Sequence, residues 1–233
     1  MPTVFITGAN RGLGLEFVKQ YVNDGWRVIA MQRSRSDALA AYEDRIETVF
    51  CDLTNDNDLR ASLAPYVDDC IDVLINNAGT MGKLSFGEAG QAAQAFGSFD
   101  RAEWASVFDI NVSTPMAMTE ILVDAVARSE RGRIVAVSSM LGSMTLNTAG
   151  GLYGYRASKA ALNAIVRSLA IDLSGRGIVV AGLHPGWVRT EMGGEDAHLS
   201  ASESVTGLRR VIERLTPETA GLVTAWDGTN VPW

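Results

Sequence analysis

The sequence predicts an α/β domain built on a doubly wound parallel sheet of about seven strands, with helices on both faces. Three observations carry that prediction: short runs rich in Val and Ile, longer segments of helical period alternating with them, and strands that are apolar throughout. Residues 3–7, 27–31, 47–50, 71–75, 133–138, 178–183 and 222–225 read as strands. A strand covered by helices on both faces must present apolar side chains to each, so its apolar run is continuous rather than alternating. Residues 13–24, 55–66, 101–129 and 155–174 read as helices, because apolar positions recur there at helical spacing. Parallel neighbours need a crossover between them, and these helices supply it.

The chain has 233 residues, 47% of them hydrophobic, which suits one domain spanning residues 1–233. No internal repeat, Pro-rich linker or low-complexity tract divides it. A formal charge of −7 opposes general affinity for nucleic acid, which requires basic patches. No apolar run approaches the roughly 20 residues that span a bilayer, so no membrane association is expected. The opening Met-Pro-Thr-Val-Phe-Ile-Thr lacks the basic start of a secretory signal, and a cytoplasmic location is expected. Cys51 and Cys70 lie nineteen positions apart with no C-x-x-C spacing, which predicts buried free thiols. His184 and His198 are the only histidines and have no partner at metal-ligand spacing, so no metal is expected. Two stretches are candidate loops over a site. Residues 82–98 are irregular, with a weak helical pattern at 88–96, and residues 193–204 are small, polar and charged.

Thr7-Gly8-Ala9-Asn10-Arg11-Gly12-Leu13-Gly14 joins the first strand to the first helix. Glycines there let the backbone turn tightly and approach a pyrophosphate, and the helix then offers its free N–H groups and positive dipole end. The spacing G-x-x-x-G-x-G differs from the usual dinucleotide fingerprint, but its place at the first β-α junction points to a nucleotide in a Rossmann-type fold. Sites that read NAD place an acid about 20 residues further on, to bond the ribose 2′-hydroxyl. Here the second strand ends Gln32-Arg33-Ser34-Arg35, with no acid before Asp37. Arg33, with Arg11 as a second cation, suits a 2′-phosphate, so NADP(H) is expected in preference to NAD(H). The alternative is that both arginines are solvated surface charges.

Tyr155 and Lys159 stand four residues apart, which on a helix is one face. A lysine cation favours the phenolate and draws a tyrosine towards working pH. Alone, this spacing is more often an ordinary helix surface. Its context is chemical: one strand ends in Ser138-Ser139 and another in Asn76-Asn77-Ala78-Gly79, both at the carboxyl edge where such sheets bind ligands. A serine hydroxyl there can donate to a carbonyl oxygen. Asn111, inside the long helical segment, can bend it or bind a water. A serine-hydrolase reading lacks its G-x-S-x-G elbow.

Together these residues resemble the short-chain dehydrogenase/reductase family along essentially the whole chain. The match takes in residues 7–14, Asp52, Asn76 to Gly79, Asn111, Ser139, Tyr155, Lys159 and Pro185-Gly186-Trp187-Val188-Arg189-Thr190. Gly150 to Asn163, His184 to Val188 and the ending Trp226-Asp227-Gly228 to Trp233 are similar to its C-factor and sniffer-type carbonyl reductase branch. The resemblance implies that Tyr155 donates the proton to a carbonyl oxygen, or removes it from an alcohol. Lys159 would hold the nicotinamide ribose and lower the tyrosine's pKa, Ser139 would orient the carbonyl, and Asn111 would support a water-linked relay to Lys159. Gly8, Asn10, Arg11, Gly12, Leu13 and Gly14 would cradle the cofactor, with Arg33, Asp52 and Leu53 at its adenosine end. Asn77, Ala78 and Gly79 would line it, while Pro185, Gly186, Val188 and Thr190 would hold the nicotinamide. Ser138 and Ser139 point to opposite faces of their strand, and the family pattern selects Ser139. The expected activity is hydride transfer between NADPH and a small carbonyl or alcohol substrate, in a homo-oligomer, a dimer or tetramer. The alternative is an NAD(P)-binding regulatory or signalling protein of C-factor type with little turnover.

Overall fold

Strands β1 (Thr3–Thr7), β2 (Arg27–Gln32), β3 (Glu47–Phe50), β4 (Val73–Asn76), β5 (Arg133–Val137), β6 (Val179–His184), β7 (Val223–Ala225) and β8 (Asn230–Val231) form one sheet. Their order is β3-β2-β1-β4-β5-β6-β7-β8. All neighbours are parallel except β7 and β8. The structure is a computed structural model and describes residues 1–82 and 94–233. Residues 83–93, which hold most of the irregular 82–98 stretch and of its helical pattern at 88–96, lie outside the described residues.

Alternate residues of each strand serve opposite faces, as the pleat requires. Val4, Ile6, Val28 and Ala30 pack under Phe17 and Tyr21 of α1 (Gly12–Asn23) and Leu208 and Ile212 of α7 (Ala201–Glu213). Phe5, Ile29 and Met31 pack on the other face. There they meet Leu59 of α3 (Asp56–Leu63), Met118 and Leu122 of α5 (Thr114–Ala127), and Leu162 and Val166 of α6 (Tyr153–Asp172). Two short helices complete the described set, α2 (Asp37–Ala40) and α4 (Arg101–Phe108).

The fold class is the one the sequence predicts, with four differences of detail. An eighth strand of two residues pairs antiparallel with β7. Helix α7 takes the last four residues of the candidate loop 193–204, and it has a clear local cause. Ser200 accepts from the Glu203 N–H while the Glu203 carboxylate accepts from the Ser200 N–H, a capping box ahead of Val205, Leu208, Val211 and Ile212. The single helix expected over 101–129 is α4 and α5 joined by a π-helical turn, Asp109–Ser113. Pro115 has no N–H to give to the Asn111 carbonyl four residues back, so an unbroken α-helix is excluded there. Finally, Cys51 is buried as expected but Cys70 is exposed, because it lies on the loop leading into β4 rather than in a strand.

Candidate active site

Strands β1 and β4 are neighbours from which the connections leave in opposite directions, and the carboxyl ends at such a switch point leave a crevice. The two ends are stitched together there. The N–H groups of Asn77 and Ala78 donate to the Thr7 hydroxyl at 3.1 and 3.0 Å. The Asn77 amide donates to the Thr7 and Gly8 carbonyls at 2.9 and 3.1 Å. Gly8 adopts φ +64°, a left-handed turn that favours glycine. Gly14 is so close to it that a Cβ would lie 2.1 Å from the Gly8 carbonyl oxygen.

Arg11 occupies the N-cap of α1 with no side-chain cap, and the first turn carries no acid. The helix N–H groups and dipole therefore face the crevice without an internal anion. Two buried side-chain oxygens, Gln32 Oε1 at the end of β2 and Asn76 Oδ1 at the end of β4, have no partner among the described residues. A turn cleared of Cβ atoms, an uncapped helix start and unpartnered polar atoms at the same sheet edge fit a dinucleotide.

The adenosine end is more open. Arg33 is exposed at the end of β2, and Asp52 is exposed opposite it. Hydrogen bonds from the Thr54 hydroxyl and N–H hold the Asp52 carboxyl below its usual range, and the Arg33 charge acts in the same direction. Leu53 is half-buried, its carbonyl accepting from the Thr114 hydroxyl at 3.1 Å. The Asn10 carbonyl accepts from the Ser36 hydroxyl at 2.9 Å, which ties the loop to the start of α2. Arg11, largely exposed, pairs with Glu191 beyond the end of β6.

The residues expected to transfer the proton do converge. Tyr155 and Lys159 share one face of α6 and both are buried. Ser138 and Ser139 separate as expected: the Ser138 hydroxyl donates to Asn163 Oδ1 at 2.5 Å, while Ser139 lies on the side of the Tyr155 phenol and favours its ionised form. The 3₁₀ turn Met140–Gly142 orients Ser139, whose oxygen accepts from the Leu141 N–H at 3.1 Å. Lys159 Nζ donates to the Val137 carbonyl at 2.8 Å and lies 5.7 Å from the Tyr155 ring centre. Gly79 stands between Asn111 and Lys159, where its missing Cβ would be 3.3 Å from Asn111 Oδ1 and 3.5 Å from Lys159 Nζ. The Asn111 side chain is fully used: it accepts from the Thr80 N–H at 2.8 Å and donates to the Thr80 carbonyl and the Ser158 hydroxyl at 2.8 and 3.0 Å. Pro115 deprives its backbone carbonyl of the α-helical donor four residues on.

Burial dominates the titration of the pair. It pushes the Tyr155 phenol up to about 12, with the Ser139 hydrogen bond pulling the other way, and pushes Lys159 down to about 8. The net direction is opposite to the expected one, with burial its largest cause, and the Lys159 ammonium donates to the Val137 carbonyl. The result is a phenol that keeps its proton at neutral pH.

The segment after β6 closes the far side. Gly186 and Val188 pack inward, Val188 bridging to Leu199, and the Pro185 carbonyl accepts from the Ser204 hydroxyl at 2.6 Å. Thr190 lies against Gly12, where a Cβ would meet its methyl at 3.5 Å. His184 packs at the strand end, and burial pushes it down to about 4 against the pull of Asp227, so it stays neutral. Sequence reasoning did not single out Thr7, Thr80 and Ser158, which hold Asn77 and Asn111 in place. Their bonds to Asn77, Ala78 and Asn111 span 31 to 71 positions, while Ser158 also donates to the Tyr155 carbonyl at 2.8 Å one helical turn back and the Thr80 hydroxyl accepts from the Gly82 N–H at 3.1 Å.

The family model for short chain dehydrogenases matches residues 2–199. The C-signal protein of Myxococcus xanthus is 45% identical over 163 residues, 70% of this chain and 93% of that protein. Carbonyl reductase Sniffer of D. melanogaster superposes over the whole of both chains with a TM-score of 0.87 at 31% identity. A carbonyl reductase from Pseudomonas aeruginosa PAO1 in complex with NADP also covers both chains completely, with a TM-score of 0.85 at 32% identity.

Proposed function

The chain belongs to the short chain dehydrogenase family, and on that premise we propose that it is an NADPH-dependent carbonyl reductase in which Tyr155 is the proton donor. The observation that carries this reading is the buried Tyr155 phenol beside Ser139, with buried Lys159 on the same helix face.

The cofactor would lie along the carboxyl edge, its pyrophosphate at Gly8 to Gly14 and its nicotinamide ribose at Lys159. When bound it supplies the hydride that a carbonyl carbon accepts. The residues of the chain do the rest. Ser139 donates to the carbonyl oxygen and sets its direction. Tyr155 gives its phenolic proton to that oxygen as negative charge develops on it. Lys159, cationic at neutral pH, stabilises the phenolate left behind. The Asn111 carbonyl holds a water through which Lys159 is joined to solvent. In the direction of alcohol oxidation the same groups run in reverse, against a phenol that burial makes reluctant to ionise.

The test is a screen of NADPH oxidation by the purified protein against aldehydes and ketones, with turnover of at least one expected. A second reading, a cofactor-binding signalling protein, is favoured by the 45% identity to a relative named C-signal. Tight NADPH binding with no turnover of any carbonyl would favour it. The complete Ser139, Tyr155 and Lys159 set supports catalysis.

Preference for NADPH over NADH rests on Arg33, which is exposed at the end of β2 where the chain carries no acid. A charged hydrogen bond contributes about 1.5–3 kcal/mol, so Arg33→Asp is expected to shift the ratio of the two dissociation constants by roughly ten- to a hundredfold towards NADH. Equal affinities of the parent protein for both cofactors would contradict this. A cytoplasmic homo-oligomer completes the proposal. Met116, Ile165 and Leu169 give the outer faces of α5 and α6 a partly apolar surface through which copies can pair. Light scattering should return a multiple of the 24.9 kDa chain mass, and a monomer would oppose it.

A further inference from the structure

We infer that the substrate carries an extended apolar chain, held along a wall that runs from Leu141 and Leu152 beside Tyr155 outward to Met140, Met144 and Trp233. This deepens the reductase reading and rests on it for the carbonyl end of the substrate.

Singly exposed apolar side chains are ordinary, but a concentration of them marks a binding surface. Among the described residues eleven large hydrophobic side chains are exposed. Five of them, Met140, Met144, Leu146, Tyr153 and Trp233, lie on the link between Ser139 and Tyr155 or on the chain end bonded to it. Residues 140–153 contain no Asp, Glu, Lys or Arg, and the Arg156 guanidinium at the inner end donates to the Leu141 carbonyl at 3.5 Å.

The link is also held in place. The Trp233 carbonyl oxygen accepts from the Thr145 N–H at 2.9 Å, the Thr145 hydroxyl at 2.5 Å and the Ser143 hydroxyl at 3.2 Å. Its exposed side chains are therefore not free to fold back into the core. At the inner end Leu152 adopts φ +50°, the one non-glycine in the left-handed region among the described residues, directly after Gly150 and Gly151 in the same region. A third glycine would be the unstrained choice. The leucine side chain is instead buried against Tyr155 and Met81, with Leu141 and Met192 completing the collar. Strain retained for the sake of a side chain at the reacting group points to a contact with the ligand. An apolar cavity of about 360 Å³, bounded by Phe99, Trp104 and Tyr153, shares Met81 with this collar but not Tyr155 or Ser139.

The experiment measures kcat/KM for linear alkanals from propanal to decanal, and the affinity of the matching 1-alkanols for the NADP⁺-loaded protein by calorimetry. Both are expected to rise by roughly two- to fourfold per methylene until the wall is filled, as when each methylene leaves water. Leu152→Gly, whose backbone is relaxed by the change, is expected to lower the decanal-to-propanal ratio of kcat/KM at least tenfold, through KM. Met144→Gln, at a site 76% exposed and without bearing on folding, is expected to lower it about threefold. Chain-length independence in the parent, or an unchanged ratio in both variants, overturns the wall while leaving the reductase reading intact. Alkanol affinity that climbs with chain length while no alkanal is reduced upholds the wall and overturns the reductase reading.

Discussion

Tyr155→Phe is expected to lower kcat for carbonyl reduction by about 10²–10⁴-fold, the range that a positioned general acid contributes. The effect should fall on kcat, with NADPH affinity nearly unchanged, because the phenol contributes its proton rather than a hold on the cofactor. The ring stays buried against Met81 and Leu152, so the fold survives the loss of the hydroxyl. Thermal unfolding of the variant close to that of the parent would confirm that the loss is chemical. Full activity in a folded variant would remove Tyr155 from the mechanism.

Gly14→Ala is expected to damage the cofactor site from within the protein. In an exposed helix the change would help, since alanine is the better helix former by about 1 kcal/mol. Here the new methyl would stand 2.1 Å from the Gly8 carbonyl oxygen and 2.7 Å from Asn77 Nδ2. Neither can retreat freely, because that same Asn77 amide donates to both the Thr7 and Gly8 carbonyls. Overpacking of this kind costs about 1–3 kcal/mol, and relief requires the glycine loop to move off α1. The dissociation constant for NADPH should therefore rise roughly tenfold or more, with a lower melting temperature. Gly175→Ala, where a Cβ meets nothing within 4 Å, serves as the control. NADPH binding by Gly14→Ala as tight as the parent's would contradict the account of the loop.

The strands and most of the machinery were legible in the sequence because they rest on local patterns. Apolar runs identify β1 to β7, and the carboxyl edge follows from their order in the chain. Residues 7–14 declare themselves by position, Tyr155 and Lys159 by a four-residue spacing, and Ser139 by the strand end before it. What escaped depends on contacts between distant residues or on competing local signals. The charge of Arg11 says nothing of Glu191, which claims it from 180 positions away. The upward direction of the tyrosine's pKa depends on burial, which a Y-x-x-x-K motif does not encode. The π turn at Asn111 and helix α7 were different in kind, since Pro115 and the Ser200 to Glu203 capping box were local signals available in the sequence. Strand β8 is too short to stand out from the chain, and it leads to Trp233, whose carbonyl accepts from the Thr145 hydroxyl.

The central claim, that this protein moves hydride to a carbonyl with Tyr155 as the acid, has a direct test in isotope transfer. The purified protein would be given NADPH deuterated at the transferable ring position together with an aldehyde, and the alcohol analysed by mass spectrometry. One deuterium is expected on the former carbonyl carbon, formed at the rate of cofactor oxidation and abolished in Tyr155→Phe. A protein that binds NADPH tightly yet delivers no deuterium to any carbonyl offered would contradict the claim.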